Sequence, residues 1–316
     1  MNTYPKGINM AIGHTPMIEV ETLTCCFMAK MESLNPFGSM KDRAAIYVIE
    51  KLLKCGEIDK NTTIIESSSG NFAIALSATC KALGMKAVCV VDPYLTTMNR
   101  QILEQYGAEL IWANISDANN SYQADRIRIV KNYLTKHKNS YWTNQYDNIL
   151  IQQAYFSLAE EISTQCPNVE YIYIPVSTCA TLAGISIWFK QKRPQVKIIA
   201  VDVKGAQIFG QSIGHCHFPG MGSRVKPGNL KNAKIDDVVI VSDYECLTKC
   251  HALLEQGVFV GASSGGITAA IEKTKRDSIT RESIVGIFPD RGDRYLDNIY
   301  DKDWCSCNIT QLLNDK

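Results

Sequence analysis

Thr63-Ile64-Ile65-Glu66-Ser67-Ser68-Ser69-Gly70-Asn71 runs directly into Phe72-Ala73-Ile74-Ala75-Leu76-Ser77-Ala78-Thr79-Cys80-Lys81-Ala82-Leu83-Gly84. The first four residues form a short β-branched run of the kind that makes a buried strand. The stretch from 71 to 83 reads as a helix, and Gly84 as its stop. A strand that passes through a serine- and glycine-rich turn into a helix is the opening of an α/β unit.

The same alternation extends outward in both directions. Upstream, 43–53 reads as a helix. Downstream, 87–91 is a predicted strand ended by Asp92-Pro93, 98–106 a helix followed by Gly107, 109–112 a strand, and 122–136 a long helix. Past Asn144-Gln145-Tyr146 the spacing predicts helices over 151–164, 182–192 and 267–275. Strands are predicted over 171–175, 197–203, 238–241 and 283–288. Continuous apolar strands alternating with helices imply mainly parallel sheets covered on both faces. The expected fold is therefore α/β: two three-layer lobes with mainly parallel sheets. The smaller lobe is expected over 40–147 and the larger over 148–316, with 1–39 packing on the larger. A ligand site is expected in the cleft between them. The segment 205–232 is glycine-rich and strand-poor, which predicts a long functional loop.

Bulk properties exclude several classes. The chain has 316 residues, 46% hydrophobic and 21% charged, with a formal net charge of +1. That balance gives no electrostatic reason to expect nucleic acid or an anionic membrane as partner. No apolar run reaches membrane-spanning length, and residues 1–10 lack a signal core, so a cytoplasmic protein is expected. Among 12 cysteines, the tight groups are Cys25-Cys26, Cys246 with Cys250, and Cys305 with Cys307. None has paired C-x2-C spacing, and His215 and His217 fall in a different segment. Reduced thiols and no metal site are the expectation.

Five stretches carry chemistry. Pro36-Phe37-Gly38-Ser39-Met40-Lys41-Asp42-Arg43 places Lys41 in the first turn of a helix that Ser39 is positioned to cap. A cation there opposes the helix dipole, which favours the neutral amine a nucleophile needs. Ser67, Ser68 and Ser69, with Gly70 and Asn71, direct donors toward one point at a strand exit, an arrangement suited to a carboxylate. Val176-Ser177-Thr178-Cys179-Ala180-Thr181 is a second strand exit, rich in hydroxyls and suited to a phosphate. Gly261-Ala262-Ser263-Ser264-Gly265-Gly266 precedes a helix. Pro289-Asp290-Arg291-Gly292-Asp293-Arg294-Tyr295-Leu296 follows the last strand and by itself reads as a solvated loop with local ion pairs. Each signal alone is modest, but their order is specific.

In that order, from Ile12-Gly13-His14-Thr15-Pro16-Met17 through Leu296, the sequence resembles the cysteine synthase and cystathionine β-synthase family of pyridoxal-phosphate (PLP) enzymes, of the tryptophan-synthase-β fold type. The resemblance implies a covalent bond between Lys41 and the cofactor, and a homodimer acting on small amino acids. It places Asn71 at the cofactor's phenolic oxygen. Ser67, Ser68 and Ser69, helped by Gln145, would take the substrate carboxylate. Ser177, Thr178, Cys179, Ala180 and Thr181 would take the cofactor phosphate, and Ser263 the pyridine nitrogen. Trp142-Thr143-Asn144-Gln145-Tyr146 and Ser223-Arg224-Val225 bring the likeness nearest to members that join O-phospho-L-serine to L-glutamate, a route to 2,3-diaminopropionate in siderophore biosynthesis. Arg224, Arg126 and Tyr146 are the candidates for holding the second substrate, Arg126 having a solvent-facing alternative on its Arg- and Lys-rich helix.

The chain departs from the family pattern at two places. Phe72-Ala73 stands where cysteine synthases carry Thr-Gly. Cys179 and Ala180 replace two glycines of the phosphate loop, from which a β or helical backbone is expected at that turn. The rival readings are a cysteine synthase using sulfide with O-acetylserine or O-phosphoserine, and a catalytically silent protein of the same fold.

Overall fold

The structure is a computed structural model and describes residues 7–116, 121–212, 214, 218–274 and 281–314. In chain order the elements are β1 (Met17–Glu21), β2 (Cys26–Met31), α1 (Lys41–Cys55), β3 (Thr63–Ser67), α2 (Asn71–Leu83), β4 (Lys86–Val91), α3 (Thr97–Gln105), β5 (Glu109–Trp112), α4 (Gln123–Lys136) and β6 (Ser140–Trp142). Then come α5 (Ile149–Gln153), α6 (Phe156–Gln165), β7 (Tyr171–Pro175), α7 (Ala180–Lys192), β8 (Lys197–Val203), β9 (Asp237–Val241), α8 (Asp243–Glu255), α9 (Ala262–Thr274), β10 (Ile284–Phe288) and α10 (Lys302–Asn314).

The chain divides into two compact units. The first comprises Asn35–Ala154 with the described residues up to Ile12. The second comprises Gly13–Leu34 and the chain from Tyr155 onward. The N-terminal segment is thus split between the units rather than lying wholly on the larger one. Gly13–Leu34 is held there by buried polar contacts. Lys30, fully buried on β2, pairs with Glu161 of α6 at 2.7 Å, and the backbone N–H of His14 donates to the same carboxylate at 3.0 Å.

In the first unit, β5-β4-β3-β6 form a four-stranded sheet, every pair parallel. Ile65, Val88 and Val90 of that sheet pack with Val130 of α4. α2 ends where the glycine signal placed it: Gly84 adopts φ 70° and its N–H caps the carbonyls of Cys80 and Lys81.

In the second unit the sheet order is β1-β2-β10-β7-β8-β9, parallel except for the β1–β2 hairpin. All five residues of β10 are buried, as a strand covered on both faces requires. Val201, Val260, Ile267 and Phe288 belong to the core that forms there.

Three differences from the expected elements have physical causes. The helix predicted over 151–164 is two helices, α5 and α6, separated at Ala154–Tyr155, where one unit gives way to the other. α5 packs on α1 and α6 on α7, so the break answers to tertiary packing. The helix predicted from Ile267 begins at Ala262, and its glycines lie inside it. A Cβ on Gly265 would meet the carbonyl oxygen of Cys246 at 2.2 Å, so close packing against α8 outweighs glycine's poor helix propensity. Finally, β1, β2, β6, α8 and α10 arise in stretches that gave no clear periodicity. Among the described residues, 205–232 forms no strand, only a 3-10 turn at Gly228–Asn232. His215, His217 and Lys275 lie outside the described residues.

Candidate active site

In the first unit, Lys41 is the first residue of the fifteen-residue helix α1. The preceding turn is fixed by a buried carboxylate: Asp42 accepts the N–H of Phe37 at 2.7 Å and lies 3.4 Å from the Ser39 hydroxyl. Ser39 also accepts the N–H of Lys41 at 3.2 Å. Met40, not Ser39, occupies the cap position. Lys41 itself is half-buried.

At the exit of β3, Ser67 and Ser68 are buried and Ser69 and Asn71 half-buried, immediately ahead of α2. The Ser67 hydroxyl is buried with no partner among the described residues. Glu66 organises this exit. Its buried carboxylate accepts the N–H of Ser67 at 2.7 Å, the Thr143 hydroxyl at 2.6 Å, the N–H of Gln145 at 3.1 Å and the Trp142 indole at 3.1 Å. Burial pushes the Glu66 carboxyl up, against the pull of these four donors. The Gln145 amide returns a bond to the Ser67 carbonyl at 3.2 Å. Gln145 and the serine turn are therefore one constellation, with half-buried Tyr146 following it. Glu66 was missed as a functional residue; its only sequence signal is a carboxylate at the end of an apolar strand.

Arg126 is neither on the solvent face of α4 nor a lone cation. Its guanidinium pairs with Asp92 at 2.9 Å, and both side chains are largely buried. It holds α4 to the end of β4.

In the second unit, β7 exits through Val176, Ser177, Thr178 and Cys179 into α7. Thr178, Cys179, Ala180 and Thr181 are buried and Ser177 half-buried. Cys179 adopts φ 59°, ψ 5°, so the expectation of a β or helical backbone fails there; Ala180 opens the helix. The left-handed residue ahead of a thirteen-residue helix directs backbone N–H groups outward, as anion-binding turns do. Asn229 braces the turn by donating to the Thr178 carbonyl at 3.0 Å. The Gly222 N–H donates to the Val176 carbonyl at 2.7 Å, which ties the loop bearing exposed Arg224 to the same turn.

Ser263, 1% exposed, lies in the first turn of α9. The stretch after β10, which by itself reads as a solvated loop, seats this turn. Gly261 donates its N–H to the Asp290 carbonyl at 3.1 Å. Asp290 accepts the hydroxyl of buried Tyr295 at 2.9 Å, and Arg291 and Asp293 form the local ion pair, 3.2 Å apart.

The first unit thus carries a lysine at a helix start and a hydroxyl-lined strand exit, and the second a hydroxyl-lined strand exit and a buried neutral hydroxyl. Each of these donor types suits a group of a phosphorylated pyridine aldehyde: the amine its aldehyde, the exits its anions and the hydroxyl its ring nitrogen. Among the described residues, no three His, Cys, Asp or Glu side chains cluster to hold a metal, and no helix is long and apolar enough to cross a membrane.

Comparison with known families decides the assignment: residues 8–290 match the family model described as pyridoxal-phosphate dependent enzyme. The chain belongs to this family of PLP-dependent enzymes. An O-acetylserine-dependent cystathionine β-synthase from Helicobacter pylori is similar in structure, with 30% identity, TM-score 0.85, and coverage of 93% of this chain and 98% of that one. An O-ureido-L-serine synthase is 25% identical, with TM-score 0.84 over 93% and 95% of the two chains. A hydrogen sulfide-producing enzyme from Fusobacterium nucleatum is 27% identical, with TM-score 0.83 over 92% and 99%. The PLP-dependent enzyme described here is accordingly of the β-replacement, cysteine-synthase-like type, and its cofactor is pyridoxal phosphate.

Proposed function

We propose that this protein is an N-(2-amino-2-carboxyethyl)-L-glutamate synthase. It would join O-phospho-L-serine to L-glutamate through the glutamate amine and release phosphate. The observation that carries this reading is the tie between Gly222 and Val176, which fastens the loop of exposed Arg224 to the hydroxyl-lined exit of β7. An always-cationic guanidinium on a loop fastened to a turn suited to phosphate is available to a second anion, the phosphate ester of the donor or a carboxylate of glutamate. Sulfide presents no group that would use it.

Lys41 holds the cofactor, Asn71 meets its phenolic oxygen, the turn from Ser177 to Thr181 takes its phosphate, and Ser263 meets its ring nitrogen. Bound PLP supplies the electron sink that allows the α-proton and then the β-substituent to leave. The Lys41 amine removes the proton from Cα of the donor and returns it at the end. The hydroxyls of Ser67, Ser68 and Ser69, at the positive end of α2, hold the donor carboxylate, and Gln145, fixed through Glu66, closes that subsite. Ser263 is neutral and cannot keep a ring nitrogen protonated as a carboxylate would, so loss of a good leaving group is favoured over racemisation. The proposal includes a homodimer, as the sequence resemblance implies.

The test is spectroscopic. The purified holoenzyme is mixed with O-phospho-L-serine and its visible spectrum followed, then L-glutamate or sulfide is added in separate cuvettes. A long-wavelength shift reversed by glutamate, with phosphate released, supports the reading. Reversal by sulfide alone makes the protein a cysteine synthase. A shift with O-acetylserine but not O-phosphoserine overturns the donor.

A further inference from the structure

Tyr295 follows β10 and is 2% exposed. Its hydroxyl lies within hydrogen-bond distance of two acceptors, the Asp290 carboxylate at 2.9 Å and the Pro219 carbonyl at 3.1 Å. Burial pushes this hydroxyl well above its ordinary range, so it stays a neutral donor around neutral pH. Two glycines make room for the side chain. A Cβ on Gly261 would clash with Cε2 of the Tyr295 ring and with Asp290 Oδ1. A Cβ on Gly220 would lie 3.0 Å from the Tyr295 hydroxyl oxygen, and Gly220 sits at φ 90°, a conformation that other residues adopt poorly.

These glycines belong to the two segments that matter most in this unit. Gly261 opens the turn of Ser263, and Gly220 lies in the loop of Arg224. That loop is a strap anchored at both ends. Phe218 packs on Trp304 of α10 with ring centroids 5.6 Å apart. Met221 lies against α9, where a Cβ on Gly266 would meet its sulfur at 2.9 Å. The N–H of Gly222 is given to the Val176 carbonyl at 2.7 Å. Between these anchors Pro219 and Gly220 are exposed, and the Tyr295 hydroxyl holds that step from beneath.

We infer that Tyr295 is a positioning residue for substrate binding, its ring seating the turn of Ser263 and its hydroxyl pinning the strap that carries Arg224. The two parts of one side chain therefore have separable effects. Loss of the hydroxyl alone releases Pro219 while the ring still fills the space beside Gly261. Arg224 then samples more positions, and ordering it on an anion costs more entropy. Loss of the ring as well leaves a cavity beside the Ser263 turn and unseats the hydroxyl that meets the cofactor ring.

The inference rests on the proposed function in taking Arg224 to meet substrate and Ser263 to meet the cofactor. It is tested on the holoenzymes of Tyr295→Phe and Tyr295→Leu. All readings are taken at one pH, because Asp202, buried on β8 beside Gly222, has a carboxyl that burial pushes up to about 7 and would add its own charge change. In Tyr295→Phe, KM for the substrate that Arg224 holds should rise about fivefold, the worth of one neutral hydrogen bond. Its kcat and the visible spectrum of its bound cofactor should stay those of the wild type, and amide exchange of the peptide covering 218–225 should quicken. Tyr295→Leu should in addition shift the cofactor band and weaken cofactor retention. In an Arg224→Ala background, Tyr295→Phe should have no further effect on KM, because the strap then carries nothing to position. Gly220→Ala, which drives the strap off the hydroxyl from the other partner, should reproduce the KM rise and serves if Tyr295→Phe does not fold. A lower melting temperature with KM unchanged makes Tyr295 structural only and overturns the inference, as do unchanged exchange in 218–225 or KM effects that add fully to those of Arg224→Ala. An enzyme that turns over O-acetylserine and not O-phospho-L-serine overturns the proposed function, and the same readings with O-acetylserine then decide the role of Tyr295.

Discussion

The Thr143 hydroxyl donates to Glu66 at 2.6 Å, across two adjacent parallel strands, and that bond places Gln145 beside the serine turn. Glu66 accepts four donors and has no donor of its own to offer in the ionised form. Glu66→Gln places an amide against N–H groups that need an acceptor. It should cost about 1–3 kcal/mol in urea denaturation and lower kcat/KM for the donor substrate, with Thr143→Val giving a smaller loss of the same kind.

Lys41→Ala should abolish the visible band of the bound cofactor and reduce turnover by about a thousandfold or more, since both the covalent attachment and the proton transfer at Cα are lost. Absorbance of the purified variant and single-turnover kinetics check this.

Arg224→Ala and Arg126→Ala should part company. Arg224 is exposed on its loop, so its removal should raise KM with little change in melting temperature. Arg126 is paired with Asp92 in a largely buried position. Its removal strands a carboxylate and should destabilise the fold by about 3 kcal/mol, with KM nearly unchanged in the protein that remains folded. Equal KM effects from both would contradict the assignment.

The pH dependence of stability follows from Asp202. Its carboxyl is raised from 3.8 to about 7 in the folded protein, so the folded state holds a proton that the unfolded chain has released. The stability this contributes is complete below pH 4 and is lost as pH rises through 7. Asp202→Asn should therefore raise stability at pH 8, by up to about 4 kcal/mol, and leave it nearly unchanged at pH 4. Paired denaturation curves at the two pH values measure it.

Glu161→Ala leaves Lys30 fully buried without its carboxylate and should cost about 3–5 kcal/mol. Adding Lys30→Met should recover at least half of that loss, because the uncompensated charge is then gone, although the Lys30 bonds to the Thr15 carbonyl and Gln165 are lost with it.

The parts of the fold that could be read from sequence were those written in local pattern. Residues 63–84 contain a β-branched run, a small-residue turn and a glycine stop, and the structure realises all three. The seat of β2 beside β10 and the break at Ala154–Tyr155, where α5 packs on α1, carry no local signal, because those partners lie far along the chain. The site divides the same way. Lys41, the serine turn and the β7 exit are contiguous motifs. The residues that fix them, Glu66, Asn229 and Gly222, act across strands and loops, and an isolated residue outside any motif is all the sequence shows of each. Arg126 shows the converse: a basic helical residue with a substrate-holding and a solvent-facing reading is paired with Asp92 in a largely buried position.

The pairing of β2 with β10 has a consequence for synthesis. Met28 is the register partner of Val285, so a strand made among the first must wait for the last strand of the sheet to be made. Until then β2 leaves the ribosome with an unpaired edge and a lysine, Lys30, whose ion-pair partner Glu161 is also still to come. The first unit, whose sheet is drawn from one continuous segment, can close long before that. A nascent chain would therefore carry one finished lobe flanked by a sticky hairpin, the state in which chaperone engagement and misassociation between neighbouring chains are most to be expected.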